Sequence, residues 1–220
     1  MKKINRKRYG VLIIAGLLAL AAACKKEHDN DDTGFSNDIK NFVPQHVIDS
    51  MRAWGMELHE GKNPPSINGI YNFQPNLCVF DNSNFNRQGT FFDNYRYRFR
   101  DQDNSQLTIA LDYKALIVSD SASGVGSFIS GNNNFFTAFV DAKGKLNGIN
   151  YHQIGFYSGE ITPTGVKNFQ TGFYLLDKDP DPGNILVAVG SSRIFNDADA
   201  FSGTNPVYRT VGGASIVAGK

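Results

Sequence analysis

The chain is poor in several things, and each scarcity excludes something. Its 220 residues hold only two cysteines, Cys24 and Cys78. That excludes a disulfide-dense scaffold and any multi-cysteine zinc module. Neither charge is in excess, with 22 Lys+Arg against 21 Asp+Glu, so a strongly basic nucleic-acid binder is excluded. Apart from one short run near the N-terminus, no apolar stretch approaches the about 20 residues of a spanning helix. The four histidines, His28, His46, His59 and His152, show no metal-ligand spacing. There is no G-x-S-x-G, because Gly124-Val125-Gly126-Ser127 has its serine one place too late. No phosphate-cradling GK[ST] element exists. What remains is 41% apolar and 20% charged, a globular composition, and the length suits one domain plus a tail.

The N-terminus is an address. Lys2, Lys3, Arg6, Lys7 and Arg8 precede an apolar run from Val11 to Ala23, which ends in small residues before Cys24. A run this short is a signal-peptide h-region rather than a spanning helix. The small residues ending on a cysteine resemble the lipobox of bacterial lipoproteins, with Ala21 where leucine is usual. In that family the cysteine thioether carries diacylglycerol, and the new amine is acylated after cleavage. More than one acyl chain makes anchoring stable where one would be marginal. The resemblance therefore implies lipidation at Cys24 and a mature chain starting there. Loss of the five basic residues leaves a net charge of about −4, which argues further against nucleic acid as a partner.

Residues 25–38, KKEHDNDDTGFSND, hold five acids and almost no apolar side chains. Such a segment cannot repay the entropy of ordering and reads as a solvated tether. Acidic stretches directly after the lipid cysteine also resemble surface-export signals of Bacteroidota lipoproteins. The expected division is a signal peptide over 1–23, an acidic tether over 24–40, a short helix and Pro-rich entry over 41–65, and a β domain over 66–220.

Val47, Met51, Trp54 and Leu58 make one apolar stripe, with Pro44 suited to the first turn and Gly55 to the end. This predicts one helix from 44 to about 54. From Ile67 the period changes to two. Tyr95, Tyr97 and Phe99 alternate with Arg96, Arg98 and Arg100, and Leu107, Ile109, Leu111 and Tyr113 continue the pattern. This is the signature of strands with one buried face. Further strands are expected at 67–73, 77–81, 115–120, 125–130, 134–141, 147–158, 166–177, 184–195 and 207–217. Hairpin turns are expected at Asp141–Gly144 and Thr162–Gly165. The stretches 133–140 and 169–176 are apolar on both faces, so both faces need cover. Short strands without intervening helices predict an all-β antiparallel barrel of about 8–10 strands with one short N-terminal helix. A β-sandwich is the alternative. Met51 and Trp54 are positioned to plug one barrel mouth.

The order of lipobox, acidic tether, short helix ending in Gly55-Met56, then Gly61-Lys62-Asn63-Pro64-Pro65 and Ile67-Asn68-Gly69-Ile70-Tyr71 resembles a family of uncharacterised Bacteroidota outer-membrane lipoproteins. Gly126–Gly131 and Phe173–Asp177 carry the likeness further, so that it spans residues 24 to about 200. More loosely, Gly69 and Tyr71 resemble the opening of lipocalin-like (calycin) barrels, with tyrosine in place of tryptophan. The resemblance implies a lipid-anchored protein of the outer membrane, with presentation at the cell surface as one option, and brings no known activity, cofactor or catalytic residue.

Tyr71, Tyr97, Phe99, Phe136 and Phe173 are the candidate cavity residues, and they either line a ligand cavity or fill the barrel. Asp177, Asp179 and Asp181 with Gly183 are similar to the start of a calcium loop. Pro180, Pro182, the late glycine and the missing closing glutamate favour a rigid polar turn. Arg96, Arg98 and Arg100 either bind an anionic glycan or carboxylate or form the solvent face of an edge strand. Cys78 sits among Leu77, Val79 and Phe80 and reads as an inert buried thiol. The expected function is a non-enzymatic, lipid-anchored binding module for a small molecule, glycan or protein. The alternatives are an accessory subunit of an outer-membrane complex and, for want of any triad or metal set, more remotely a hydrolase using a carboxylate pair.

Overall fold

The computed structural model describes residues 34–211 and 214–217, with side chains up to Tyr208. The signal peptide, Cys24 and the tether before Gly34 lie outside the described residues. Two short helices come first, α1 (Asn37–Phe42) and α2 (Gln45–Ala53). Twelve strands follow: β1 (Gly69–Phe73), β2 (Asn76–Asp81), β3 (Tyr95–Asp103), β4 (Thr108–Ala115), β5 (Asp120–Asn132), β6 (Phe135–Leu146), β7 (Ile149–Thr162), β8 (Gly165–Lys178), β9 (Ser192–Asp197), β10 (Phe201–Gly203), β11 (Val207–Val211) and β12 (Ala214–Val217).

Ten strands form one antiparallel sheet in the order β1-β3-β4-β5-β6-β7-β8-β9-β2, with β10 on β8 and a separate β11–β12 hairpin. The sheet curls into a barrel-like form. Its seam is bridged where the chain after β10 reaches β1: Thr204 pairs with Tyr71, and Asn205 N–H donates to the Ile70 carbonyl at 2.8 Å. The all-β antiparallel expectation holds, and a single curled sheet replaces the sandwich alternative. Residues 116–119 are a loop rather than a strand, and within 184–195 only the part from Ser192 is a strand. Asp141–Gly144 lies inside β6. The turn falls instead at Asn147-Gly148, both with φ > 0 (47° and 93°), the geometry a tight hairpin demands. Thr162–Gly165 is the expected hairpin.

The inward residues of β1, β3, β4, β6, β7 and β8 make one core. Phe73, Tyr97, Phe99, Phe136, Tyr157 and Phe169 pack ring on ring inside the curl. The second core is on the outside. Phe35, Ile39, Val43, Val47, Ile48, Met51 and Met56 cover the outer face of β6–β9 at Phe139, Ile154, Phe156 and Ile194. Burying each such aliphatic side chain contributes about 1.5–3 kcal/mol. This is the cover that the two-faced strands require. The helices therefore sheathe the barrel wall and do not plug its mouth. Met51 sits against Gly172 on β8, and Trp54 stacks on Phe80 of β2 at 4.5 Å.

The packed domain also starts earlier than residue 41. Ser36 caps α1, its Oγ accepting from Ile39 N–H at 3.3 Å, and Phe35 and Ile39 are buried. Residues 35–40 therefore belong to the packed domain. At the end of α2, Gly55 N–H donates to the Arg52 carbonyl and Met56 N–H to the Met51 carbonyl, both at 3.0 Å. This Schellman arrangement stops the helix where Gly55 predicted.

Candidate functional site

One end of the curled sheet is where β3, β5, β7 and β9 begin and β2, β4, β6 and β8 finish. A cavity of about 130 Å³ opens there. Tyr95 and Tyr97 from β3, Tyr113 from β4, Tyr151 and Tyr157 from β7 and Phe173 from β8 surround it. Alternation along each strand turns these rings inward. Tyr151 needs room to lie flat, and Gly144 on β6 supplies it: a Cβ there would sit 2.4 Å from the Tyr151 ring and 2.6 Å from Ala122.

The polar groups of the cavity form a directed chain. Tyr95 O–H donates to Asp120 Oδ2 at 2.6 Å, and Tyr151 O–H to Asp120 Oδ1 at 2.7 Å. With its proton spent there, Tyr151 accepts from Tyr113 O–H at 2.6 Å, and Tyr113 in turn accepts from Gln153 Nε2 at 2.9 Å. Every donor in the chain points toward Asp120, so the bonds reinforce one another on that carboxylate. Burial raises the Asp120 carboxyl above the usual range and the nearby Asp93 charge adds to this, while the two phenol bonds pull it back. Burial likewise raises the Tyr95, Tyr97, Tyr113, Tyr151 and Tyr157 hydroxyls, so they remain donors at neutral pH. No Lys, Arg or His pairs with Asp120 among the described residues. Arg193 also lines the cavity, but its Nε donates to Asp81 at 3.0 Å and its guanidinium lies against Phe85 and Phe92.

One lining atom has no partner. Asn76, only 3% exposed, donates Nδ2 to the Asp93 carbonyl at 2.7 Å, which fixes the amide orientation, and its Oδ1 accepts nothing. A larger depression of about 690 Å³ lies on the outer wall, lined by Lys143, Lys145, Asn150, His152 and Asp177 among others. It is shallow, and its polar groups largely satisfy each other: His152 meets Asp141, and Asn150 donates to Asp179 at 2.6 Å. The mouth cavity, with the Asp120 carboxylate unpaired by any cation among the described residues, is the better candidate.

Of the five aromatics expected in a cavity, Tyr97 and Phe173 line it. Tyr71, Phe99 and Phe136 are packed into the core and fill the barrel, so lining and filling are divided between two levels. Tyr71 is tied down by its own chain, donating to the Ile67 carbonyl at 3.1 Å.

The three aspartates of the calcium-loop pattern are each engaged elsewhere. Asp181 accepts from Ile185 N–H at 2.9 Å, Leu186 N–H at 2.8 Å and Lys178 Nζ at 2.9 Å, and these bonds hold its carboxyl down at about 2. Asp179 is committed to Asn150, and Asp177 Oδ1 accepts from Lys178 N–H at 2.9 Å. Among the described residues no three carboxylates, histidines or cysteines converge on a metal position. Asp181 instead shapes the loop that brings Ile185, Leu186 and Val187 to the cavity. Millimolar calcium is therefore expected to leave the melting temperature unchanged, whereas Asp181→Ala lowers it in calcium-free buffer. A calcium-dependent rise in a thermal melt would contradict this.

The arginine stripe is not on an edge, because β3 lies between β1 and β4. Arg98 and Arg100 converge on Asp112, directly across β4, with Nε–Oδ2 distances of 3.0 and 2.9 Å, and Ser123 adds a 2.6 Å bond. Despite its burial, these bonds hold the Asp112 carboxyl down at about 2. Arg98 also lies 4.5 Å from the Tyr208 ring centroid. Arg98 and Arg100 thus form an outward-facing ion-pair network with Asp112, whereas Arg96 Nε donates to Asn72 Oδ1 at 3.3 Å. Cys78 is fully buried and its thiol is pushed up to about 11 by that burial, as an inert thiol should be.

Fold and cavity together define a class: an antiparallel barrel-like β domain, sheathed by helices on one wall, with a tyrosine-lined recess at one mouth. No family model, curated protein or solved structure matches the chain.

Proposed function

We propose that this protein is a non-enzymatic, lipid-anchored binding module of the cell envelope, held in the outer membrane through Cys24, whose ligand enters the mouth cavity. The observation that carries the binding part is the Asp120 carboxylate, without a cationic partner among the described residues, at a recess built of five tyrosines.

Both parts are testable. Cys24→Ser should lose incorporation of labelled palmitate and retain the signal peptide, because a hydroxyl does not replace the thiol in diacylglycerol transfer. Label in the variant would refute the anchor. For the cavity, at least one ring-sized solute among phenol, benzoate and benzylamine should raise the melting temperature of the purified lipoprotein, as a ligand of the native state does. Failure of all three would refute binding at the mouth.

A second reading has its own observation. Ile117 is 89% exposed, and Leu116 and Val118 beside it, with Phe91 and Val189 on the other mouth loops, are also exposed. An apolar rim of this kind suits an accessory subunit that docks mouth-first in an envelope complex. Ile117→Asp separates the two readings. If docking is the role, the variant leaves a larger complex on native electrophoresis while solute binding persists.

A further inference from the structure

We propose that the ligand of the mouth cavity is a small organic cation, an amine carrying about one ring, with its ammonium directed to Asp120. This rests on the binding reading above and adds the chemistry of what is bound. Four donors of the recess are directed to one carboxylate: Tyr95 and Tyr151 donate to Asp120, Tyr113 to Tyr151, and Gln153 to Tyr113. Asp120, with one phenol on each oxygen, keeps further lone pairs. A ligand complementary to such a site donates hydrogen bonds.

Charge selects among donors. Among the described residues Asp120 has no cationic partner, while Arg193, a cation in the lining, is already paired with Asp81. The recess therefore presents an unbalanced carboxylate. Around it stand the rings of Tyr95, Tyr97, Tyr113 and Tyr157, whose centroids lie 5.3–5.9 Å apart where they meet, together with Tyr151. Aromatic walls favour a cation over an anion. Size selects the rest. A dry cavity of about 150 Å³ takes a benzene ring, and this one measures about 130 Å³. Phe92, Leu175 and Leu186 offer the apolar surface for such a group.

The test uses the purified full-length lipoprotein and three probes of one shape, benzylamine, benzyl alcohol and benzoate, followed by thermal melts and calorimetry at neutral pH. Benzylamine should bind at least about tenfold more tightly than the other two, the difference expected of one charge-assisted hydrogen bond. Asp120→Asn should reduce that preference to near unity. Benzyl alcohol or benzoate binding as well as the amine would overturn the cation assignment and leave the binding reading intact. No binding by any probe would overturn the binding reading itself. Benzylamine binding unchanged in a folded Asp120→Asn would also overturn the assignment. Should that variant not fold, the charge series on the unaltered protein decides alone.

Discussion

Phe169→Ala is expected to destabilise the domain by about 3–5 kcal/mol, the cost of deleting a buried phenylalanine from a core that cannot collapse around the gap. Phe169 is fully buried on β8 at the centre of the inner aromatic layer. Its ring centroid lies 5.4 Å from Phe73, 5.7 Å from Tyr97, and 6.3 Å from both Phe99 and Phe136. Edge-to-face pairs add about 0.5–1.5 kcal/mol each beyond burial, and the substitution removes several at once. The neighbours are rings on three other strands, fixed by the sheet register, so they cannot move in together. Domains of this kind have about 5–15 kcal/mol in total, and the loss is therefore a large share. Urea unfolding should show a lower midpoint with an unchanged slope. Phe135→Ala is the control. That ring is partly exposed and meets His59 at 4.9 Å, so its removal should cost far less. Equal effects of the two would mean that the inner layer is not the principal core.

The inner layer was legible in the sequence because alternation is a local signal. Tyr97, Phe99 and Leu111 point inward for the same reason that Arg98 and Asp112 point outward. The partnership of Arg98 and Arg100 with Asp112 was not legible, since it depends on β3–β4 register, and the stripe therefore read as an edge. Helix α1 was hidden by composition: its neighbourhood is acidic, and its anchors Phe35, Ile39 and Val43 only become a set once the outer wall of β6–β9 is there to receive them. The turn at Asn147-Gly148 carried the stronger signal, yet Asp141–Gly144 competes with it by composition alone. The cavity was half readable. Its rings sit in alternating strands, but Asp120 follows a loop, and nothing local ties it to Tyr95 and Tyr151 from two other strands. Asn76 is a site residue only because β2 crosses to pair with β9 instead of following β1.

That crossing makes Asp197 the second residue with a large expected effect. Asp197 ends β9 and is buried, opposite Asn76 at the start of β2. Its Oδ2 accepts from Gln74 N–H at 3.3 Å and from the Ser202 hydroxyl. One carboxylate thus ties the β1–β2 junction to β10, the strand whose continuation bridges to β1 and closes the seam. Asp197→Ala leaves those donors unmet, at about 1–3 kcal/mol for each one that stays buried, and should open the seam first. Amide exchange at β10 and at Asn205 should rise more than in the inner layer. The pH arm has a definite sign. Burial pushes the Asp197 carboxyl up to about 6, with the Ser202 and Gln74 bonds opposing and Asp199 adding to the rise. Between the unfolded value of about 3.9 and the folded one, the native state holds the proton that the unfolded chain releases. Stability from this group is therefore greatest below about pH 4 and falls as pH rises toward 6. Asp197→Asn keeps an acceptor at the seam and cannot ionise, so it should flatten that segment of the stability profile while costing less than Asp197→Ala. A profile for Asp197→Asn with the original slope between pH 4 and 6 would show that another group titrates there.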